Sequence, residues 1–308
     1  MNVTAGARTT LAHPPEQVVP PRTGRLLDVD YATFRANYNR RPFLFTHRLA
    51  EHPLMQFDSL VALANRLPSD QVRYCRGKTS LETNFDKALT DRRHRLSVQE
   101  LLDDMQHSDA YVLLFQTNTD PEYDQLFDEA LVDLKPLLDP IDPHINWRAA
   151  SIFIASPEAI TPYHMDREMN FLCQVRGTKD VQLWDQNDRS IMSQEAIERV
   201  YACPTEPKPG YKPEYAAKAM HFTLSPGTGV NQPLMAPHAV TNGNEVSVAI
   251  AFTYRTRGSQ RQALVHAFNH RLRRLGVNPR EYNRSPWLDS AKSRLMGAYL
   301  QARSLELG

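Results

Sequence analysis

Residues 161–184 read TPYHMDREMNFLCQVRGTKDVQLW. His164-Met165-Asp166 is an HxD triplet. Side chains two apart on an extended chain point to the same side, so His164 and Asp166 can face one metal ion. Asn170–Val175 and Lys179–Trp184 then read as strands, joined by an apparent hairpin turn at Arg176-Gly177-Thr178. Lys179 shares a face with Val181 and Leu183. If that face is the interior, the lysine is costly there without an anion. The alternative is a strand-end lysine whose head reaches water along its own stem.

Further strands are expected at Ala149–Ala155, His221–Leu224 and Val246–Tyr254. Short strands at this spacing, split by Pro and Gly, predict an antiparallel sandwich or barrel over 147–254. An insertion at 185–219 interrupts it and contains YACPTEPKPGYKPEY, too proline-rich for regular structure. A long segment beside a candidate site is a possible lid.

Residues 25–146 read as a mixed α/β region packing on the barrel. Asp30 caps a helix reaching about Tyr38, ended by Arg41-Pro42. Phe43–Phe45 is a short buried strand. Asp58 caps a helix carrying Leu60, Val61, Leu63 and Leu67. Ser97 and Glu100 form a capping box, Ala110–Phe115 a strand and Tyr123–Leu138 a helix. Residues 1–24 are polar and proline-rich, without the apolar core of a signal peptide, and predict a flexible arm.

After Tyr254 the pattern turns helical over 255–308. Leu264, Phe268, Leu272 and Leu275 mark one face, with Gly276 as a C-cap. Ser285-Pro286 opens a second helix with Trp287, Leu288, Ala291, Leu295, Ala298 and Tyr299 on its apolar side. These helices either close the barrel or pair two subunits as a homodimer. Eleven Arg/Lys against Glu281, Asp289 and Glu306 make this end basic. A solvated or dimer-facing surface is preferred for it over nucleic-acid binding, since no helix-turn-helix or zinc-finger pattern accompanies it.

The whole chain has 308 residues and a net charge of +1, so its bulk charge favours neither nucleic acid nor membrane. No apolar run is long enough to span a bilayer. Cys75, Cys173 and Cys203 are odd in number and widely spaced, which predicts a reducing, cytoplasmic setting rather than a disulfide framework.

Two imidazoles and one carboxylate on one face of iron(II) leave three positions open for a chelating co-substrate and O2. The third ligand has to come from elsewhere, and His238 is the candidate. It sits in PGTGVNQPLMAPHAVTN, which resembles the second cupin motif: Gly227, Pro233, His238 and Asn242 fit the spacing. Met235 stands where that motif has glycine, and Thr228 where an aspartate is common. An HxD triplet alone is also a frequent surface pair, and a histidine after Pro237 can be a simple turn residue.

Taken together, Thr161-Pro162-x-His164-x-Asp166-x3-Asn170 continuing to Gly177-x-Lys179 resembles the JmjC 2-oxoglutarate oxygenases. It is especially similar to the branch of the asparaginyl hydroxylase acting on the hypoxia-inducible factor. The resemblance covers about Ala149 to Tyr254. It implies a double-stranded β-helix, the jelly-roll or cupin fold. It implies Fe(II) on His164, Asp166 and His238, and 2-oxoglutarate bound at its far carboxylate by Lys179 with Thr161 assisting and Asn170 alongside. The implied reaction is hydroxylation of a substrate C–H bond, or demethylation of a methylated amine, with O2 consumed and succinate and carbon dioxide formed. The substrate is a protein or peptide side chain or a small metabolite. Tyr163, Met165, Arg167, Glu168 and Arg255 are candidates for the mouth of the site. Two readings compete: a metal-dependent cupin enzyme indifferent to 2-oxoglutarate, and a non-catalytic ligand-binding cupin.

Overall fold

The computed structural model describes residues 24–76, 78–84, 100, 105–107 and 109–306. The arm expected over 1–24 (Gly24 apart) and the capping box at Ser97 lie outside the described residues. Twelve described strands are β1 (Leu27–Asp28), β2 (Phe43–His47), β3 (Val72–Arg76), β4 (Ala110–Leu114), β5 (Ile145–Ala155), β6 (Ile160–His164), β7 (Met169–Arg176), β8 (Lys179–Leu183), β9 (Met220–Leu224), β10 (Thr228–Gln232), β11 (His238–Asn242) and β12 (Ser247–Thr256). They form two antiparallel sheets. The larger has the order β1-β2-β10-β7-β12-β5-β4-β3 and the smaller β6-β11-β8-β9. Strands from the N-terminal region hydrogen-bond into the larger sheet at both edges.

The larger sheet is apolar on both faces because both are covered. Ile152, Ile154, Phe171, Phe252 and Tyr254 pack outward against α1 (Tyr31–Asn37), α2 (Phe57–Arg66) and α3 (Pro121–Leu138). Leu172, Val230, Ala249 and Ala251 pack inward against Val181, Leu183 and Val240 of the smaller sheet. Fully burying each large side chain contributes about 2–3 kcal/mol. The mainly β jelly-roll architecture with N- and C-terminal helices is therefore the one expected.

Local expectations need correction at four places. The turn at Arg176-Gly177-Thr178 is no hairpin: β7 pairs with β10 and β12, and β8 with β11 and β9. Gly177 carries the chain from one sheet to the other with φ +68°, and a Cβ there would meet the Val246 carbonyl oxygen at 2.8 Å. Asp58 does not cap α2; the N-cap is Gln56, and Asp58 lies in the first turn. The insertion is more regular than expected. Ser193 caps α4 (Gln194–Ala202), a turn the prolines spare, and a 3₁₀ segment follows at Pro213–Lys218.

The fourth concerns α5 (Arg257–Arg274) and α6 (Pro286–Glu306). On α5 the buried positions are Ser259, Val265, His266, Ala267 and Asn269, not the Leu264–Leu275 stripe. On α6, Asp289, Lys292 and Met296 are buried while Trp287 is 71% exposed. Polar pairing decides the rotation. Lys292 donates to the Arg280 carbonyl at 2.6 Å and Asp289 accepts from the Asn283 amide at 2.8 Å.

Candidate metal centre

β6 and β11 pair with His164 opposite His238 and Thr161 opposite Val240. Between these pairs Pro162 and Tyr163 of β6 face Ala239 alone on β11, a β-bulge, and the extra residue re-aims one side chain. Strict alternation would put Thr161 and His164 on opposite faces. The bulge lets His164 meet His238 while Thr161 faces inward, where its Oγ1 lies 3.4 Å from the Tyr111 hydroxyl. Asp166 follows the end of β6. Its carbonyl accepts from the Met235 amide at 2.9 Å, which ties the triplet to the turn before β11.

One potential ligand atom from each of His164, Asp166 and His238 lies within 4.8 Å of the others. The imidazole centroids are 4.1 Å apart at 53°, and His238 Nε2 is 3.8 Å from Asp166 Oδ2. His164 Nδ1 lies 2.8 Å from the Pro162 carbonyl oxygen, and His238 Nδ1 lies 3.1 Å from that of Ala236. A carbonyl only accepts, so both Nδ1 atoms carry the proton and both Nε2 lone pairs remain for a metal. Burial holds both imidazoles below their usual pKa, with His238 adding to the effect on His164. Burial alone would raise the Asp166 carboxyl, but His164, His238, Lys208 and Arg167 together hold it below its usual range. Two neutral imidazoles and an anionic carboxylate are the donor set an iron(II) ion takes. The expected triad is thus brought together.

Lys179 is turned inward with Val181 and Leu183 and is 4% exposed. Its ammonium makes no hydrogen bond or ion pair among the described residues. Burial pushes it down to about 8. His238 pairs with Leu183 and Lys179 with Asn242, so ligand and lysine stand at opposite ends of one strand pair. Asn170 on β7 is buried, and its amide donates to Gln232 Oε1 at 3.0 Å while its own Oδ1 has no partner.

Of the residues expected at the mouth, Arg167, Glu168 and Arg255 are half-buried. Tyr163 and Met165 are not at the rim. They pack on the outer side of the smaller sheet with Trp184, Ile197, Tyr201 and Met235. Tyr111 was absent from the sequence-derived set. It lies on β4, far upstream of any motif, and its YVLLF context signals only a buried strand.

A cupin-like domain model matches residues 33–260. The chain belongs to the cupin-like domain family. That match extends this family's domain from α1 to α5, and its two facing antiparallel sheets are the cupin-like barrel described above. Among solved structures, the cupin-like chain is similar to YcfD, a ribosomal oxygenase from Escherichia coli. The identity is 14%, with 89% of this chain and 67% of that one covered and a TM-score of 0.46. It is also similar to YcfD in complex with cobalt and 2-oxoglutarate, at 15% identity, the same coverage and a TM-score of 0.45. No curated protein sequence matches this cupin-like chain.

Proposed function

We propose that this cupin-like protein is an iron(II)- and 2-oxoglutarate-dependent oxygenase that hydroxylates a protein or peptide side chain or a small metabolite. The observation that carries it is the conjunction of the His164–Asp166–His238 cluster with Lys179, a buried ammonium with no partner in the same barrel. A metal site explains the triad. A dicarboxylic co-substrate explains the lysine.

In this reading His164, Asp166 and His238 hold the metal, and Pro162 and Ala236 fix the two rings through Nδ1. Lys179 binds the far carboxylate of 2-oxoglutarate by charge-assisted hydrogen bonding. Thr161 and Tyr111 present hydroxyls beside it, and the free Asn170 Oδ1 adds an acceptor. The iron would supply activation of O2 coupled to decarboxylation of 2-oxoglutarate to succinate. The apolar interior formed by Leu172, Val181, Leu183 and Val240 keeps bulk water away from that chemistry.

The exposed apolar residues of α5 and α6, among them Leu275, Trp287 and Leu295, fit a homodimer contact, because a patch of this kind is rarely left to water. No helix among the described residues is long and apolar enough to cross a membrane. A cytoplasmic setting accords with the free thiols of Cys173 and Cys203.

Succinate formation from 2-oxoglutarate, iron(II) and ascorbate, without added substrate, tests the reading. Wild type should make succinate slowly, and His164→Ala and Lys179→Ala should not. If 2-oxoglutarate neither turns over nor perturbs the spectrum of the iron-loaded protein, the oxygenase reading is wrong.

A further inference from the structure

A cavity of about 360 Å³ opens where the N-terminal region, the insertion and the C-terminal helices meet. Gln186 and Arg189 begin the insertion, and Leu234 and Met235 belong to the turn before β11. His266 lies on α5, and Glu281 and Arg284 lie in its connection to α6. The volume suits a small molecule. None of His164, Asp166, His238 and Lys179 lines it, so it is a site apart from the candidate metal centre.

Two carboxamides in its lining are committed at one end. Gln186 Nε2 donates to the Asn39 and Arg40 carbonyls at 3.2 and 3.3 Å, and its Oε1 is buried without a partner. Gln194 Nε2 donates to Glu198 at 3.0 Å, so its carbonyl is the end left to offer. Carbonyls and carboxylates only accept, so these partners fix both amides with the oxygen free. An acceptor kept from water is costly until a donor reaches it. His266 Nδ1 is likewise buried without a partner. Burial, with Arg189 and Lys292 adding to it, holds that imidazole down to about 3, so it stays neutral.

The charge of the cavity is left to three side chains. Glu281 is half-buried, and Arg189 and Arg284 are exposed. None of them makes an ion pair among the described residues. Arg189 gives one N–H to the Gln186 carbonyl at 2.9 Å. A carboxylate and two guanidiniums thus share one cavity without pairing with one another. Opposite charges held apart in this way are the complement of a molecule that carries both an ammonium and a carboxylate. Buried Ile197, Leu234 and Met235 supply an apolar wall for the rest of it.

We propose that this cavity is a binding site for a free α-amino acid. Glu281 takes its ammonium, with the Gln186 and Gln194 carbonyl oxygens accepting further N–H bonds. Arg189 and Arg284 take its carboxylate by charge-assisted hydrogen bonds. The site stands whether or not the oxygenase reading does, because it shares no lining residue with the triad or Lys179.

The test screens the standard L-amino acids against the full chain by thermal shift, then titrates the strongest by calorimetry. No metal is added, because amino acids chelate metals in solution. At least one amino acid should bind. Its N-acetyl derivative lacks the ammonium and its amide lacks the carboxylate, and each should bind at least about tenfold more weakly. Glu281→Gln should weaken the amino acid about tenfold and lose the discrimination against the N-acetyl form. The double variant Arg189→Gln, Arg284→Gln should weaken it similarly and lose the discrimination against the amide. Each should keep the ligand-free Tm of wild type, which separates lost binding from lost folding. Lys135→Gln on α3 should leave binding unchanged. The proposal is overturned if no amino acid binds, or if affinity survives either N-acetylation or amidation. It is equally overturned if Glu281→Gln or the double arginine variant binds as wild type does.

Discussion

His164 on β6 and His238 on β11 are cross-strand partners whose ring centroids stand 4.1 Å apart. Their Nδ1 protons go to backbone carbonyls, which makes Nε2 the metal-binding nitrogen of each ring. Calorimetric titration with cobalt(II) should therefore show one site per chain. Replacing either histidine by alanine should weaken it by more than about 100-fold, beyond what loss of a supporting hydrogen bond does. Metal should also raise the Tm of wild type by mass action and leave that of the variants unmoved.

Lys179 gives a prediction in which stability and binding move in opposite directions. Burial takes its ammonium from 10.5 down to about 8. Its charge therefore costs the fold on the order of 3 kcal/mol at neutral pH. The folded value lies below the unfolded one. Between about pH 8 and 10.5 the unfolded chain then holds the extra proton, and stability rises with pH across that window. Lys179→Met should raise the metal-free Tm at pH 7 by a few degrees and flatten that rise. It should also weaken 2-oxoglutarate binding by roughly 100-fold. Calorimetry reads both. A lower Tm with unchanged 2-oxoglutarate affinity would mean that the protein itself satisfies the lysine.

The Tyr111 hydroxyl lies 3.4 Å from Thr161 Oγ1, and the proposed function puts both beside 2-oxoglutarate. Tyr111→Phe keeps the ring in its pocket and removes one donor. It should cost about fivefold in 2-oxoglutarate affinity, the size of one neutral hydrogen bond, with little change in Tm. Equal affinity in titrations of wild type and Tyr111→Phe would exclude the hydroxyl from the site.

How much of this was legible follows from where each signal lies. The HxD triplet and Lys179 share one continuous segment, so their relation is a matter of strand parity, and parity placed Lys179 with Val181 and Leu183. His238 is distant in sequence but carries its own spaced pattern. Tyr111 carries none, because its role arises only when β4 and β6 come to face each other across the barrel. The bulge in β6 had only Pro162 to mark it, and a proline in a strand signals an edge as readily as a bulge. Met235 shows the opposite case. It occupies a glycine-like place in the motif and adopts φ +60°, so the turn keeps its shape at the expense of a left-handed methionine. On α6 Trp287, Leu295 and Tyr299 stay exposed because Asp289 and Lys292 are held inward by backbone partners.

The outward apolar face of those helices predicts association. Leu275 is 79% exposed and Trp287 71%. Light scattering coupled to size exclusion should report a dimer for wild type and a monomer for the double variant Trp287→Arg, Leu295→Arg. A wild-type monomer at tens of micromolar would remove the homodimer from the proposed function.

Among the contacts that bind the insertion to the C-terminal helices is an ion pair with a buried carboxylate. Glu198 on α4 is fully buried, and its Oε2 accepts from Arg273 Nε on α5 at 2.7 Å. Gln194 donates to the other carboxylate oxygen at 3.0 Å. Removing only the cation leaves a carboxylate out of water with one neutral donor. Arg273→Ala should therefore cost about 3 kcal/mol in chemical denaturation. The double replacement Arg273→Leu, Glu198→Leu removes both charges and should recover most of that loss. Because the pair joins α4 to α5 away from the metal ligands, cobalt(II) affinity should be unchanged in both variants. Loss of metal binding in Arg273→Ala while the protein remains folded would show that the insertion's docking also sets the geometry of His164 and His238.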